Sequence, residues 1–410
     1  MSAEPRSLTP IDTTAGRSPP ALPLRWLAHA LKELARGQLT LIDASGNRIV
    51  LRGRLPGSEA VWHFRRPWRA LLRLLRRGDI GFAEGYIAGD WNTPDLQALL
   101  QFTMDNERTL TDLAERPAWQ RQLDRFRHRM RRNSRRGSRA NIRFHYDLGN
   151  EFYRQWLDST MSYSSALFSK GDEALETAQQ RKYLRLLERL GAVPGAHILE
   201  IGCGWGGFAE AAARQGYRVT GITLSQEQLE YARERVARAG LSDRVELRLQ
   251  DYRDLDERFD HVVSIEMFEA VGEEWWPTYF EKVRRCLRPG GRAALQVITI
   301  DDAAFQRYRE NADFIQLYIF PGGMLPPVPR FNTLVEAAGL VRLEQDFFGM
   351  DYALTLRRWF DEVRRSTEII QALGYADDFL RMWRYYLAYC EVGFRTRRVD
   401  LMQTILEHPA

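Results

Sequence analysis

The stretch His197-Ile-Leu-Glu-Ile-Gly-Cys-Gly-Trp-Gly-Gly207 runs from a short apolar segment into a cluster of glycines. The apolar segment is typical of a buried strand, and the glycines predict a tight turn that opens into a helix. A strand, a glycine turn and a helix in this order form the first unit of a parallel sheet. The stretch therefore predicts an α/β fold in which backbone at the end of the first strand can approach a ligand closely.

The same alternation of strands and helices continues towards the carboxyl terminus. Strands are predicted at 197–201, 218–224, 245–249, 260–265 and 293–298, with a last strand near 399–406. Helices are predicted between them, one over 225–239 with Ser225 and Gln228 at the spacing of a capping box, and one beginning near Leu356. This pattern predicts a Rossmann-like sheet with helices on both faces.

The spacing of the glycines indicates the ligand. Glu200-x-Gly-x-Gly lacks the spacing of the dinucleotide fingerprint and is the pattern of sites where S-adenosylmethionine replaces a dinucleotide. Glu200 is predicted to orient the loop and the amino-acid end of this cofactor, while Gly202 and Gly204 let it lie close to the backbone. The alternative is a purely structural turn between strand and helix.

The ends of the next two strands complete the predicted cofactor site. The second strand ends at 221–225 without an acidic residue to meet a ribose hydroxyl, so Gln228 is the nearest polar substitute. Asp251 and Tyr252 follow the third strand, where an adenine ring needs a polar partner and an aromatic face.

Composition limits the class of protein. With 410 residues, of which 44% are hydrophobic and 28% charged, the chain can form two globular domains. No apolar run approaches the roughly 20 residues that cross a bilayer, and the amino-terminal segment lacks the apolar core of a secretory signal, so we expect a cytoplasmic protein. Cys203, Cys286 and Cys390 are widely spaced, which argues against a disulfide framework and against a metal site.

Basic residues are concentrated before the predicted sheet. The net charge is +5, and basic side chains cluster at 65–69, 73–77 and 127–139. Such clusters attract anionic lipid headgroups, at about 1 kcal/mol per basic residue near the surface, although a solvated face explains them equally well. We expect peripheral association with the inner face of the membrane and no nucleic-acid partner, and the sequence leaves a homodimer open.

Composition and pattern also divide the chain into four parts. Residues 1–22, rich in Ser, Pro and Thr, are predicted to be a disordered tail. Residues 23–106 combine helical and strand patterns with a basic amphipathic helix, which predicts a small α+β domain associated with lipid or membrane. Residues 107–140 are predicted to be a partly helical, Arg-rich linker, and 141–410 the S-adenosylmethionine-dependent catalytic domain.

Several longer motifs occur in order along the chain. They are His145-Tyr-Asp-Leu-Gly-Asn150, Met161-Ser-Tyr-Ser-Ser165, the glycine loop, Gln250-Asp-Tyr-Arg-Asp254, Met267-Phe-Glu-Ala-Val-Gly272, Tyr318-Ile-Phe-Pro-Gly-Gly323 and Asp351-Tyr-Ala-Leu-Thr-Leu356. In these motifs the sequence resembles the cyclopropane-fatty-acyl-phospholipid synthase and mycolic-acid methyltransferase family, from roughly residue 24 to residue 406. The resemblance implies a class I methyltransferase fold. It also implies transfer of a methyl or methylene group from S-adenosylmethionine to the cis double bond of an unsaturated phospholipid acyl chain.

The resemblance assigns residues to the cofactor and to the acyl chain. It implies that Tyr163 and Ser164 contact the cofactor from outside the sheet. The other implied cofactor contacts are Gly202, Gly204, Leu224, Gln228, Asp251 and Tyr252. An apolar tunnel and an approach to the bilayer would come from segment 301–329, whose aromatic residues include Phe305, Phe314, Tyr318 and Phe320.

The reaction itself requires a shielded cation and a base. Methyl transfer to an alkene builds a carbocation that must be kept from water and stabilised by aromatic faces or carboxylates. Tyr163, Phe268 and Tyr352 lie in motifs suited to this, although each could also be plain core. Proton loss from the added methyl closes a cyclopropane, loss from a chain carbon leaves a methyl-branched or methylene alkene, and capture of water gives an alcohol.

In the cyclopropane-forming members of the family, the base is a bicarbonate held by Cys, Glu, His, Ile and Tyr. Glu269, Ile298 and Tyr352 match that set, whereas Ser165 stands in the Cys place and Gln296 in the His place. A neutral amide lacks the tunable charge of an imidazole, so bicarbonate is a doubtful cofactor for this chain.

Glu266 is a second departure, because the cyclopropane-forming members have Gly at this position. A built-in carboxylate could replace the bicarbonate ion, which predicts Glu266, in preference to Glu269, as the proton acceptor. The alternative is a structural hydrogen bond.

Two other functions fit part of the sequence. A methyltransferase for a small soluble acceptor would share the glycine loop, but the motifs at 145–150 and 318–323 argue against it. A non-enzymatic lipid carrier would fit the small first domain, but a carrier needs no Glu200-x-Gly-x-Gly loop. The sequence leaves the position of the double bond, the headgroup and the final product open.

Overall fold

The computed structural model describes the backbone of residues 11–14, 19–114 and 148–410, and the side chains of 19–110 and 148–410. Contacts divide this part of the chain into two units. The first comprises the described residues up to 114 together with Gly374–Val392, and the second comprises 148–373 together with Gly393–Ala410. Among these residues, no helix is both long enough and apolar enough to span a bilayer.

The first unit has the α+β architecture that the sequence predicts. Its strands, in the order β1-β3-β2-β4-β5, are β1 (Ile11–Thr14), β2 (Arg36–Ile42), β3 (Arg48–Arg52), β4 (Leu55–Phe64) and β5 (Trp91–Asn92). Its helices are α1 (Leu22–Ala30), α2 (Pro67–Ile87, broken at Gly78), α3 (Leu96–Asp105), α4 (Glu107–Ala114) and most of α14 (Asp377–Arg395).

Two boundaries of this unit differ from the prediction. β1 lies within the predicted disordered tail, yet it pairs antiparallel with β3, because its β-branched residues suit a strand. α4 lies in the first part of the predicted, partly helical linker, but it belongs to this unit. The rest of that linker, and residues 145–147 of the first family motif, lie outside the described residues.

Helix α14 belongs mainly to the first unit, although the prediction assigned it to the catalytic domain. Arg381 on this helix is buried, and its guanidinium donates to the backbone carbonyl of Tyr86 at 2.6 Å and to that of Trp91 at 3.1 Å. Tyr385 packs its ring against Phe82. The apolar stripe of a helix indicates that one face is buried, but it does not tell which sheet buries that face.

The second unit is the predicted Rossmann-like sheet, in which β12 is antiparallel to both of its neighbours. Its strands, in the order β11-β12-β10-β9-β6-β7-β8, are β6 (His197–Ile201), β7 (Arg218–Thr223), β8 (Val245–Leu249), β9 (Phe259–Ile265), β10 (Leu287–Ile300), β11 (Val341–Phe347) and β12 (Val399–Glu407). Its helices are α5 (Asn150–Arg154), α6 (Leu175–Leu190), α7 (Gly207–Arg214), α8 (Gln226–Arg238), α9 (Trp276–Cys286), α10 (Asp302–Glu310), α11 (Val328–Ala337), α12 (Gly349–Arg365) and α13 (Thr367–Ala372).

The predicted strands of this sheet are confirmed, with ends that shift by a few residues. β11 was not predicted, because this edge strand is largely exposed and lacks the apolar run of a buried strand. The helix predicted to begin near Leu356 begins at Gly349.

The order of the strands determines where the site lies. From β6 the sheet grows through β7 and β8 in one direction and through β9 and β10 in the other. A crevice forms outside the carboxyl ends of the strands at such a reversal, between β6 and β9. Glu200 on β6 and Glu266 directly after β9 therefore lie on the two sides of this point.

The position of α14 can be tested through Arg381. Replacing it with Met leaves two buried carbonyl oxygens without their donor, so Arg381→Met is expected to lower the free energy of unfolding of the first unit by about 2–4 kcal/mol. Arg381→Lys, which keeps a charged donor but not the forked geometry, is expected to cost less. Urea unfolding followed by tryptophan fluorescence measures both variants, and a loss below about 0.5 kcal/mol for the Met variant would contradict the assignment.

Candidate active site

A cavity opens at the carboxyl ends of β6, β7 and β9. Its lining includes eight of the nine residues predicted to bind the cofactor, namely Tyr163, Ser164, Glu200, Gly202, Gly204, Leu224, Gln228 and Tyr252. Glu266, the predicted base, lines the same cavity. The cofactor residues and the candidate base are thus brought together in one space.

Asp251 is the ninth predicted cofactor residue, and it is not among the lining residues. Its carboxylate accepts hydrogen bonds from the backbone N–H of Arg253 at 3.0 Å and from the guanidinium of the same residue at 2.6 and 2.9 Å. These bonds cap the short turn Tyr252–Asp254. Asp251 therefore holds the turn that presents Tyr252 to the cavity.

The glycine loop has the backbone that the sequence predicts. Gly202 and Gly204 have φ angles of +87° and +49°, a region that side chains disfavour. A Cβ at Gly202 would lie 2.9 Å from the Cγ of Met267, whereas a Cβ at Gly204 would meet no protein atom within 4 Å. Gly204 therefore leaves open the space into which a side chain would project.

Glu200 carries an unsatisfied polar atom at this cavity. Its side chain is buried, and Oε2 has no hydrogen-bond partner among the described residues. Burial raises the pKa of Glu200 to about 8, and the charges of Lys182 and Arg235 oppose that rise. A buried carboxyl oxygen on a residue that lines a cavity calls for a hydrogen-bond partner, and the ammonium and hydroxyl groups of S-adenosylmethionine can supply one. The residues present therefore fit this cofactor.

The capping box predicted for Ser225 and Gln228, after β7, forms only in part. Ser225 Oγ accepts a hydrogen bond from the backbone N–H of Gln228 at 3.2 Å and caps α8. The Gln228 side chain does not return to Ser225. Instead, its Oε1 accepts from the Thr223 hydroxyl at 3.1 Å, so half of the predicted capping box forms. The other half is replaced by a contact that holds Gln228 at the cavity.

Lys182 on α6 is a buried residue of the site that the sequence analysis missed. Its Nζ donates to Ser164 Oγ at 2.5 Å and to Gln179 Oε1 at 2.6 Å, and Gln179 Nε2 donates to the Ser164 carbonyl at 2.8 Å. Burial lowers the pKa of Lys182 to about 8, opposed by the charges of Glu266, Asp158 and Glu200. Its burial could have been predicted from its position in the apolar stripe of α6, between Ala178 and Leu186.

Glu266 is the centre of a second group of contacts. It has a φ of +50°, and its Oε1 accepts from the backbone N–H of Ser165 at 2.8 Å and from Gln296 Nε2 at 2.7 Å. Its Oε2 accepts from the Tyr352 hydroxyl at 2.6 Å. Three other predicted catalytic residues therefore contact the Glu266 carboxylate.

The Gln296 amide has a defined orientation. Gln403 on β12 donates through Nε2 to Gln296 Oε1 at 2.8 Å, which leaves Gln296 Nε2 to face Glu266. The Ser165 hydroxyl donates to the carbonyl of Ala166 at 2.9 Å. Ser165 thus acts on Glu266 through its backbone and not through its side chain.

Glu269 and Ile298 form a separate pair. Glu269 Oε1 accepts from the backbone N–H of Ile298, and Oε2 is buried without a partner among the described residues. Burial raises the pKa of Glu269 to about 8, and the charge of Glu266 adds to the rise. Burial also raises the pKa of Glu266, but the Tyr352 hydroxyl and the Lys182 charge head the interactions that oppose this. Three donors thus stabilise the ionised form of Glu266, whereas Glu269 accepts one backbone hydrogen bond and its raised pKa favours the protonated form.

The candidate aromatic residues separate into two groups. Tyr163 lines the cavity and packs against Tyr153, Trp156 and Trp359. Phe268 does not line it. This side chain is buried in the core beneath the sheet, against the rings of Trp276, Tyr279, Phe280 and Phe331. Phe268 therefore packs as the core interpretation expects, and its role beside a cation stays a prediction.

The residues of the predicted acyl tunnel pack against one another and against the core. Phe314 stacks on Tyr318 with ring centroids 5.3 Å apart, and Phe305 stacks on Trp276 at 6.4 Å. The tunnel itself stays a prediction.

A parallel sheet with an antiparallel β12, a glycine loop after β6 and an unsatisfied carboxylate beside that loop define an S-adenosylmethionine-dependent methyltransferase. Residues 133–404 match the family model described as "Mycolic acid cyclopropane synthetase". The chain belongs to this family.

Individual relatives agree with this assignment. The chain is 40% identical over 351 residues to "Tuberculostearic acid methyltransferase UfaA1" of Mycobacterium tuberculosis, covering 83% of this chain and 82% of that protein. It is 36% identical over 341 residues to "Cyclopropane-fatty-acyl-phospholipid synthase" of Escherichia coli, covering 81% and 84%. Among solved structures, "mycolic acid cyclopropane synthase CmaA1 complexed with SAH and CTAB" matches with a TM-score of 0.61 and 31% identity, over 65% of this chain and 97% of that one.

These comparisons confirm the predicted family, the fold class and the cofactor. The protein is an S-adenosylmethionine-dependent enzyme of the cyclopropane synthase family, which transfers methyl or methylene groups to unsaturated lipid chains.

The cofactor site can be tested at Gly204. In Gly204→Val the side chain would occupy the cavity, so we expect S-adenosylmethionine affinity to fall at least about 100-fold while the chain stays folded. Gly195→Val is the matched control, because Gly195 also has a positive φ and open space around its Cβ position but lies outside the cavity. Titration calorimetry measures both. Equal affinity in native and Gly204→Val protein would require another cofactor site.

The protonation of Glu269 gives a prediction about stability. Its folded pKa, about 8, lies above its ordinary value of 4.5, so the folded state keeps a proton that the unfolded chain loses. The free energy of unfolding therefore falls as pH rises from about 5 to 8, by at most about 1.4 kcal/mol per pH unit for this group. Glu269→Gln should lessen this fall, and Glu281→Gln, on an exposed residue, should not. Urea unfolding at pH 5.5, 6.5 and 7.5 compares them, and parallel curves for all three proteins would contradict the assignment.

Proposed function

We propose that the chain transfers a one-carbon unit from S-adenosylmethionine to the cis double bond of an unsaturated phospholipid acyl chain, with Glu266 as the proton acceptor. The observation that carries this proposal is the set of donors on the Glu266 carboxylate. Ser165, Gln296 and Tyr352 stand in three places of the bicarbonate set of the cyclopropane-forming relatives, and in this chain all three donate to Glu266.

The reaction requires the protein to stabilise a positive charge and to accept a proton. Bound S-adenosylmethionine supplies an electrophilic methyl group, and its addition to a double bond leaves a positive charge on the acyl chain. Glu266 lines the cofactor cavity, so its carboxylate can stabilise that charge and then accept a proton from carbon. The electrons of the broken C–H bond form either the third bond of a cyclopropane ring or a new double bond.

Glu266 is better suited than Glu269 to accept the proton. Its ionised form is stabilised by three donors and by the nearby charge of Lys182. Glu269 has one backbone donor and a raised pKa, so it already carries a proton near neutral pH. A protonated carboxyl cannot act as the base.

The same contacts argue against bicarbonate. The donors that would hold such an ion are engaged by Glu266, and its carboxylate occupies the place between them. A second anion there would add a like charge to a buried site, which is costly.

A fixed base also bears on the product. A carboxylate anchored to the backbone reaches a limited set of C–H bonds, whereas a small ion can settle closer to the added methyl. We propose that deprotonation shifts towards a chain carbon, giving a methylene or methyl-branched chain in place of, or beside, a cyclopropane. The relatives include a protein named as a methyltransferase and one named as a cyclopropane synthase, so the family accommodates both outcomes.

The test compares native enzyme with Glu266→Gln and Glu266→Gly in carbonate-depleted buffer, using unsaturated phospholipid and mass spectrometry of the products. Native activity should persist without bicarbonate, and Glu266→Gln should lower kcat by about 10²–10⁴-fold. Glu266→Gly suits the backbone, because φ at this position is +50°. Since it frees the three donors, added bicarbonate should partly restore activity and move the product towards cyclopropane.

Other outcomes would reject the proposal. Native activity that vanishes without bicarbonate, survives Glu266→Gln and yields only cyclopropane would return the chain to the bicarbonate mechanism. Failure to modify any phospholipid, together with turnover of a small soluble acceptor, would favour the other class of methyltransferase.

A further inference from the structure

Helix α2 of the first unit exposes an unusual set of side chains. Trp68, Leu72 and Leu75 are 58%, 45% and 39% exposed, and their spacing places them on one stripe of the helix. The opposite face, with Ala70, Leu71 and Leu74, is buried in the unit. α2 is therefore apolar on both faces, and one of these faces is turned to solvent.

Arginines surround the exposed stripe. The chain has six of them between residues 65 and 77, and those at 65, 69 and 76 are exposed next to the stripe. The buried Asp90 carboxylate pairs with Arg66, Arg69 and Arg73, and Glu84 pairs with Arg73 and Arg77. Two paired carboxylates and the exposed Asp79 leave an excess of three positive charges.

Helix α1 has the same character. It contacts α2, and its outer face exposes Leu22 and Trp26 together with Arg25. Two neighbouring helices of one unit thus present a tryptophan and leucine outwards beside basic residues. Tryptophan and arginine combine an apolar body with a polar group, which suits the boundary between headgroups and acyl chains.

The positive charge around the stripe indicates which partner binds there. A two-fold contact between copies of this chain would bring the same arginines together, and like charges oppose such an interface. An anionic lipid surface offers phosphates to the arginines and an apolar layer to Trp68, Leu72 and Leu75.

We infer that the Trp68, Leu72 and Leu75 stripe of α2 inserts into the interface of an anionic bilayer, with the flanking arginines on lipid phosphates. The inference rests on the proposed function for its reason, because an enzyme that modifies phospholipid acyl chains must reach them in a bilayer. The stripe on α2 is the surface that contacts the bilayer.

The test uses the full chain and co-sedimentation with vesicles of phosphatidylglycerol and phosphatidylcholine, or of phosphatidylcholine alone. Leu72→Gln/Leu75→Gln keeps good helix formers on the surface and should weaken binding to the anionic vesicles at least about tenfold. The matched control is Val341→Gln/Leu343→Gln on β11 in the second unit, where the exposures are 48% and 42%; it should bind within about twofold of native. Arg65→Gln/Arg76→Gln should weaken binding and reduce its dependence on salt.

Activity on detergent-dispersed phospholipid separates this inference from the proposed function. The α2 leucine variant should retain native activity there and lose it on vesicles. If the native protein modifies phospholipid neither in detergent nor on vesicles, the proposed function fails. If the native protein is active and the leucine variant is equally active on vesicles, the stripe on α2 has been wrongly assigned. Equal binding to neutral vesicles would reject the anionic partner. A native dimer that the leucine substitutions convert to a monomer would assign the stripe to a second copy.

Discussion

The buried carboxyl group of Glu266 is the group on which the arrangement of the active site depends. A carboxylate removed from water strongly favours its neutral form unless donors and a counter-charge compensate. Ser165, Gln296 and Tyr352 supply the donors, and Lys182 supplies a positive charge nearby. These partners belong to separate parts of the chain, namely the loop before α6, strand β10, helix α12 and helix α6. One buried carboxyl group therefore joins strand β10 and helix α12 to the neighbouring loop and helix α6, although more than a hundred residues separate Ser165 from Gln296 and Tyr352.

This requirement extends to residues that do not touch the carboxylate. Gln403 orients the Gln296 amide, and Gln179 supports both Lys182 and the loop that carries Ser165. The backbone at Glu266 adopts a positive φ, which a side chain disfavours. Such a conformation persists only where the surrounding contacts impose it, and here those contacts hold the carboxylate at the cavity wall.

The sequence predicted those parts of the molecule whose structure depends on neighbouring residues in the chain. The glycine loop was predictable because only a few residues can take its φ angles, and the central strands because each is a short apolar run between turns. Glu266 stood out because it departs from the glycine of the cyclopropane-forming members, and Ser165, Gln296 and Tyr352 were singled out by the same resemblance. The hydrogen bonds that join them were not predictable, because the direction of the Gln296 amide depends on Gln403, more than a hundred residues away. Lys182 was missed for a related reason: α6 is rich in basic residues, and burial of one of them depends on what packs against the helix.

The protonation of the two carboxyl groups beyond β9 follows from the same balance. Glu266 and Glu269 lie close enough for the charge of one to raise the pKa of the other, and a buried site does not favour two negative charges. Because the donors converge on Glu266, they favour the ionised form there, whereas Glu269, with one backbone donor, favours the protonated form. Glu200 adds a third carboxyl group on the other side of the cavity, and burial raises its pKa too. A ligand that brings positive charge into this space favours the ionised forms of Glu200 and Glu266. A cationic cofactor therefore favours the protonation state that the proposed base requires, so that cofactor binding and readiness to accept a proton are linked by ordinary electrostatics.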